Sequence, residues 1–331
     1  MGGICKNLDY NVAIIGSGQL GGRHLQGLVK SSNQLNIYVM DPEEKSLSIT
    51  KQRYLEVSEP NNKNYISYHK NINDLPDMSD VAIIVTTADV RRSVIETLLE
   101  HCLVKYIVLE KVVFQKSDDF LPIQNLFNKV GTNAWVNCAR RSYSFYKELK
   151  KELKGETLEI KVAGKNWGLA CNSIHMIDLL VFLTGQTNLV FDNSNLNERI
   201  YHSKRDGYKE LRGKFIIRTG RGDILEMIDQ DSFVDGELAI TVNTDKDEII
   251  IDEIRGLLVC NSSNSDIKKR TIEIPLQSQI TGNIVEQIID TGESDLTPFD
   301  ECIKYHVPML DSFNDHFSKI TKKTIKICPI T

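Results

Sequence analysis

The sequence holds no C-x-x-C pair and no regularly spaced cysteine set; seven are scattered at Cys5, Cys102, Cys138, Cys171, Cys260, Cys302 and Cys328. That pattern excludes a disulfide framework and predicts reduced thiols in a cytoplasmic compartment. No H-E-x-x-H segment, paired Cys/His motif or carboxylate cluster calls for a metal. Apolar runs are short, and residues 179–183 fall far below the roughly 20 residues that span a bilayer. The first ten residues carry Lys6 and Asp9 and no apolar core, while Lys6 stands where a myristoylation signal takes Ser or Thr, so a soluble, untargeted chain is expected. Charge of one sign is lacking too. The 40 Lys and Arg against 45 Asp and Glu leave a net charge of -5, with no basic cluster on a nucleic-acid motif. DNA and a membrane surface are therefore excluded as expected partners.

What is present is an ordinary globular composition, 41 % hydrophobic and 26 % charged, over 331 residues, enough for two domains. The stretch 11–24 organises the rest. Val12, Ala13, Ile14 and Ile15 form a short apolar run that leads directly into Gly16, Gly18 and Gly21 at G-x-G-x-x-G spacing. This reads as strand, tight turn and helix start. Gly16 permits the turn, Gly18 lets a pyrophosphate approach the backbone, and Gly21 lets the helix pack closely on the strand. The uncapped amides and positive dipole end of that helix then face the phosphates. The apolar run 35–40 ends in Asp41, twenty residues past Gly21, where a carboxylate accepts both adenosine ribose hydroxyls. Asp41 favours NAD, although Lys45 nearby keeps NADP open.

Downstream the chain alternates. A helix to about residue 29, a strand at 35–40, a polar helix at 45–57, an edge strand at 65–68 and a buried strand at 81–86 are expected. A helix at 89–102 follows, with Val90, Val94, Leu98 and His101 on one face, then a strand at 106–109, a helix at 118–129 and a strand at 134–138. Such alternation requires parallel strands with right-handed crossovers, which makes residues 1–138 a doubly wound Rossmann domain. Residues 139–331 change rhythm. Helices are expected at 142–153 and 171–183, the latter stopped by Gly185, and a strand at 158–163. Strands at 214–218, 224–228, 238–242, 248–251, 257–260 and 271–274 follow, separated by turns at 220–222, 235–236 and 245–247. A closing helix at 298–320, kinked or split by Pro308, and a strand at 324–327 end the series. The expected second domain is α/β with an open, mainly antiparallel sheet, one face on helices. The two domains are expected in close contact, with the active site between them.

Lys111 follows the strand 106–109, where its ammonium can steady developing alkoxide charge during hydride transfer. His175 and Asp178, three apart on a helix, project to one side as an imidazole with a carboxylate. Each has a bland alternative, a solvated loop lysine and a core His–Asp pair. In sequence, the glycine fingerprint, Glu110-Lys111, Asn137-Cys138-Ala139-Arg140-Arg141 and His175-Met176-Ile177-Asp178 together resemble the Gfo/Idh/MocA oxidoreductase family. The resemblance covers nearly the whole chain and implies an NAD(P)-dependent enzyme acting on a sugar, cyclitol or sugar nucleotide. It implies a homodimer or homotetramer through the open sheet. Lys111 matches the family's E-K-P lysine and His175 its catalytic histidine. Two departures stand out. Val112 replaces the proline after the lysine, so the often cis geometry of that loop is expected to be absent. Cys171 replaces the aspartate one turn before the histidine, so either Asp178 takes part of its role in supporting the imidazolium or the proton relay is weakened.

The cofactor-binding set is thus Gly16, Ser17, Gly18, Gln19, Leu20, Gly21, Asp41, Thr86, Thr87, Glu110 and Lys111. The substrate set is Arg140, Arg141, Trp167, Cys171, Asn172 and His175, and the catalytic set Lys111, His175 and Asp178. Arg140 and Arg141 are either solvated charges or contacts to a substrate phosphate or carboxylate. Trp167 is either a stacking surface for a sugar ring or a core indole. His24 is expected to be a helix residue near the cofactor. Beside a dehydrogenase, two readings stay open: a keto-sugar-nucleotide reductase of surface-glycan synthesis, and a dinucleotide-binding regulator that has lost its chemistry.

Overall fold

The computed structural model describes residues 10–57, 64–234, 238–262 and 265–331. Cys5 and the turn expected at 235–236 lie outside the described residues. In chain order the elements are β1 (Tyr10–Ile15), α1 (Gln19–Leu28), β2 (Leu35–Met40), α2 (Glu44–Leu55), β3 (Tyr65–His69) and β4 (Met78–Ile84). Then come α3 (Arg91–His101), β5 (Leu103–Leu109), α4 (Phe120–Val130), β6 (Asn133–Val136), α5 (Ser144–Glu152), β7 (Glu159–Gly164) and α6 (Leu169–Thr184). A strand-rich stretch follows: β8 (Leu189–Leu196), β9 (Tyr201–His202), β10 (Lys209–Glu210), β11 (Gly213–Thr219), β12 (Ile224–Asp229) and β13 (Leu238–Asn243). The chain ends with β14 (Asp247–Asp252), β15 (Leu257–Ser262), β16 (Ser265–Thr271), α7 (Gln277–Thr291), β17 (Thr297–Pro298) and α8 (Phe299–Thr321).

Two compact units result. The first comprises the described residues of Met1–Val113 with Leu121–Asn137 and Pro275–Pro298. Its sheet has the order β17-β6-β5-β4-β1-β2-β3, parallel except for β17. This is the doubly wound arrangement expected, and the strand order reverses between β1 and β4, the place where such sheets open a ligand crevice at the strands' carboxyl ends. Val12, Ala13, Ile14 and Ile15 are wholly buried because β1 is central and covered on both faces. Pro275–Pro298 correct the expected continuous second domain. The helix α7 buries Ile280, Ile284, Val285 and Ile288, packs on α1 and closes so tightly that a side chain at Gly27 or Gly282 would strike the opposite helix.

The second unit comprises Phe114–Phe120, Cys138–Ile274 and Phe299–Thr331. Its sheet runs β16-β15-β14-β13-β7-β12-β11-β8, antiparallel except for the β7–β12 pair. Strand residues alternate: Ile160, Val162, Leu225, Met227, Ile240 and Val242 face the core, whereas Glu159, Lys161, Ala239 and Ile250 are exposed on the other face. The helix α6 packs on β12 and α8 on β8.

Several local expectations are corrected. The strand expected at 271–274 is β16, ending at Thr271, and residues 324–327 form no strand. The helix α8 runs through Pro308 unsplit, since its stripe of Cys302, Tyr305, Met309, Phe313 and Phe317 is buried and packing outweighs the lost N–H. In α3 the buried face is Arg91, Ile95 and Leu98, while Val90 is exposed. No helix among the described residues is long and apolar enough to cross a membrane.

Candidate active site

The glycine turn has the form its spacing requires. Gly16 adopts φ +101°, and a side chain there would come within 2.9 Å of the Thr86 nitrogen, so only glycine lets the two loops at the strand-order switch touch. A Cβ on Gly21 would lie 2.0 Å from the Gly16 carbonyl oxygen, whereas one on Gly18 would meet nothing within 4 Å. Gly18 therefore faces open space. The helix α1 begins at Gln19, slightly ahead of expectation, with no side chain capping its N-terminus and no acid in its first turn. The Ser17 Oγ and Thr86 Oγ1 hydroxyls are buried with no hydrogen-bond partner. An uncapped helix end, an open glycine and two orphaned hydroxyls fit a phosphate-bearing dinucleotide. Asp41 sits at the end of β2, where its carboxylate accepts the N–H of Ser17 at 2.7 Å and of Glu43 at 2.9 Å, which holds the turn to the strand.

Glu110 and Lys111 follow β5. Lys111 is half-exposed, while Glu110 and Val112 to Phe114 are buried. The Glu110 carboxylate is engaged within the first unit: Oε1 lies 3.0 Å from His24 Nε2 and accepts Asn137 Nδ2 at 2.5 Å. His24 Nδ1 lies 3.1 Å from Thr281 Oγ1, and Asn137 also donates to Gln277. Burial pushes the Glu110 carboxyl up, but the hydrogen bond and charge of His24, then Asn137 and Lys111, outweigh it and hold it below the usual range. His24 is thus the buried partner of Glu110, more than a helix residue beside the cofactor. The Lys111–Val112 peptide bond is cis, correcting the expectation that valine abolishes that geometry. The guanidinium of Arg91 reaches the surrounding backbone carbonyls.

In the second unit the candidates divide. Asp178 is fully buried, accepts a forked pair from Arg141 at 2.6 and 3.0 Å, and accepts the Tyr305 hydroxyl at 2.6 Å. Arg141 also reaches Glu301 at 3.0 Å. Burial lowers the Arg141 pKa, but Asp178, Tyr305 and Glu301 more than reverse that. Both residues are buried, and each charge taken out of water is met by the other. Arg140 is likewise held, in a forked pair with Glu253 at 2.8 and 2.7 Å beside the Tyr146 hydroxyl. Neither arginine is the solvated charge of the first alternative, since each is paired with a carboxylate.

Trp167, Cys171 and Asn172 do come together, on the wall of a cavity of about 710 Å³ that Tyr201, Glu210 and Arg212 also line. Trp167 is half-buried there, not a core indole, and its Nε1 donates to the Ile228 carbonyl at 2.8 Å. Glu210 accepts the N–H groups of Ala170 at 2.8 Å and Cys171 at 3.2 Å, capping α6 from another element. Burial raises its pKa, with the Cys171 thiol and backbone amides opposing. His175 is half-buried on α6, one turn beyond Cys171 on the same helix face. Glu210 and Arg212 gave no sequence signal. Among the described residues no group of His, Cys, Asp and Glu could hold a metal ion.

No protein-family model matches the sequence, and no curated protein matches it. Solved structures do. UDP-N-acetylglucosamine 3-dehydrogenase GnnA from Acidithiobacillus ferrooxidans is 13 % identical over 92 % of this chain and 97 % of its own, with a TM-score of 0.67. An Agrobacterium radiobacter oxidoreductase, in complex with NAD+, L-tartaric acid and magnesium, is 12 % identical over 92 % and 95 %, with a TM-score of 0.69. The transcriptional regulator Gal80p from Kluyveromyces lactis is 13 % identical over 98 % and 95 %, with a TM-score of 0.68. At such identities the likeness is one of fold. The chain shares its fold with these solved structures, oxidoreductases and a transcriptional regulator among them.

Proposed function

We propose that the protein is an NAD(P)-dependent oxidoreductase that interconverts a hydroxyl and a keto group on a sugar, cyclitol or sugar nucleotide. The crevice between β1 and β4 carries this reading, with Gly18 facing open space and the Ser17 and Thr86 hydroxyls buried without partners. Gly16 to Gly21 with the first amides of α1 would hold the pyrophosphate, Asp41 the adenosine ribose, and Thr86, Thr87 and Lys111 the nicotinamide half. The dinucleotide, when bound, supplies the hydride chemistry. His175 takes or returns the hydroxyl proton at its imidazole, and Lys111 holds its ammonium against the substrate oxygen. Trp167, Cys171 and Asn172 bind the ring. NAD is the expected cofactor on the strength of Asp41, and a homodimer or homotetramer the expected assembly.

A second reading, a dinucleotide-binding regulator, draws on Cys171 and the likeness to Gal80p. The reductase of sugar-nucleotide synthesis loses its argument from Arg140 and Arg141, whose charges are taken by Glu253 and Asp178. Calorimetric titration with NADH and NADPH, alone and with UDP- and CMP-sugars, is the decisive test. NADH binding that Gly18→Ala weakens by about tenfold or more, with the fold retained, supports the reading. Absence of binding by the wild-type chain overturns it. On a substrate so found, Lys111→Met and His175→Ala should each cost about 10²- to 10⁴-fold in rate. Cofactor binding without turnover on any polyol or keto sugar, with a protein partner recovered in pull-downs, favours the regulator.

A further inference from the structure

Arg91 is among the largest fully buried side chains of the protein and opens α3. A guanidinium out of water must have its donors met. Here its two terminal nitrogens meet backbone. Nη1 lies 2.6 Å from the Glu110 carbonyl oxygen and 2.9 Å from that of Val113, and also contacts that of Val112, while Nη2 contacts that of Thr86. Three of the four carbonyls flank Lys111. They lie past the end of β5, where the sheet ladder no longer serves them, and Val112 and Val113 are wholly buried. The fourth belongs to the loop after β4 that touches Gly16.

Resting on the reading proposed above, we infer that Arg91 is a positioning residue: it fixes the backbone on both sides of Lys111 and joins it to the Thr86 loop, so that the lysine is presented to the nicotinamide half from a fixed Cα. A planar five-donor fork can serve carbonyls from two loops at once; an ammonium on a flexible stem cannot hold the same set. His24 on Glu110 provides a second tie from α1. A lysine on a fixed backbone gives up less conformational freedom on engaging its ligand, which is the benefit Arg91 supplies.

The test is a double-mutant cycle read by calorimetric NADH affinity on wild type, Arg91→Lys, Lys111→Met and the double variant, with thermal melts confirming a folded chain. Arg91→Lys should weaken NADH about fivefold when Lys111 is present and by less than about twofold when residue 111 is methionine, because coupled residues are non-additive. Equal losses in both backgrounds, or no loss, overturn the inference and leave Arg91 a structural residue. If wild type itself fails to bind NADH, the functional reading falls and the inference falls with it. Should Arg91→Lys not fold, Arg91→Gln takes its place in the cycle. Hydrogen exchange on the wild-type chain gives a further readout. Residues 86–90 and 110–114 should open at one rate, and separate rates contradict a single tied body.

Discussion

Glu110 in the first unit and Glu210 in the second are buried to similar depth, 4 % and 8 % exposed, yet they hold their protons in opposite ways. Burial pushes both carboxyls up. At Glu110 the His24 imidazole, Asn137 and the Lys111 ammonium reverse the effect, so the group is held as a carboxylate. At Glu210 the Cys171 thiol and the amides of Ala170 and Cys171 oppose burial without overcoming it. Depth alone therefore does not set the charge of a buried acid; the partner does. The consequence differs too. Glu110 is a fixed anion anchoring the loop of Lys111, whereas Glu210 lines a cavity with its pKa raised, so it takes up a proton more readily than Glu110 does.

Asp178 offers the largest test of that contrast, since it lies in the unit of Glu210 but has a cation like the one Glu110 has. Asp178→Ala strands Arg141 in the core and should cost about 3–5 kcal/mol in denaturant unfolding. A cost below about 1 kcal/mol would mean that Glu301 and Tyr305 suffice for Arg141, and the rule that the partner decides would lose its strongest case.

Glu110→Gln should have a smaller effect, about 1–3 kcal/mol at pH 7, because an amide keeps the shape and loses the charge-assisted bonds. Its pH dependence has a definite sign. The folded pKa of Glu110 lies below the unfolded value of about 4.3, so its contribution is present above that pH and is lost as pH falls through the folded pKa. The gap between wild type and variant should stay open from pH 8 to about 5 and close only in acid. Unfolding titrations across that range check it, and a gap that widens on acidification sinks the assignment of Glu110 as an anion.

Much of the first unit was legible because its signals are backbone signals. Glycine spacing, apolar runs and the acid after β2 report what the chain can do locally: Gly16 and Gly21 form the expected tight turn, and Asp41 follows β2. Side-chain roles were less legible, because partners come from far along the chain. Asp178 reads as a companion of His175 three residues away, and its hydrogen bonds to Arg141, 37 residues back, and to Tyr305, 127 residues on, could not be read from that spacing. Some misses had a signal. Ile280, Ile284, Val285 and Ile288 carry helical spacing that foretells α7, and Arg91 with Ile95 and Leu98 puts an arginine on an apolar face. Glu210 had none, since a two-residue strand leaves no period to read.

Glu210→Gln should have the smallest effect of the series and the most informative sign. The amide oxygen can still accept one of the two α6 amides, and losing the other costs about 1 kcal/mol. Against that, the variant no longer buries a charge. At pH 7 the two effects oppose, and the net change should stay within about 1 kcal/mol. The folded pKa of Glu210 is raised above the unfolded value of about 4.3, so between the two the folded chain binds the extra proton. Its contribution is fully present below the unfolded pKa and is lost as pH rises through the folded pKa. Wild type should therefore gain on the variant as pH falls from 8 towards about 5, opposite in direction to what Glu110 shows on entering acid. Paired unfolding curves at each pH measure the gap. A gap that grows with rising pH would make Glu210 a second carboxylate anchor, and the cavity beside Trp167 and Asn172 would then present a fixed negative charge to its ligand.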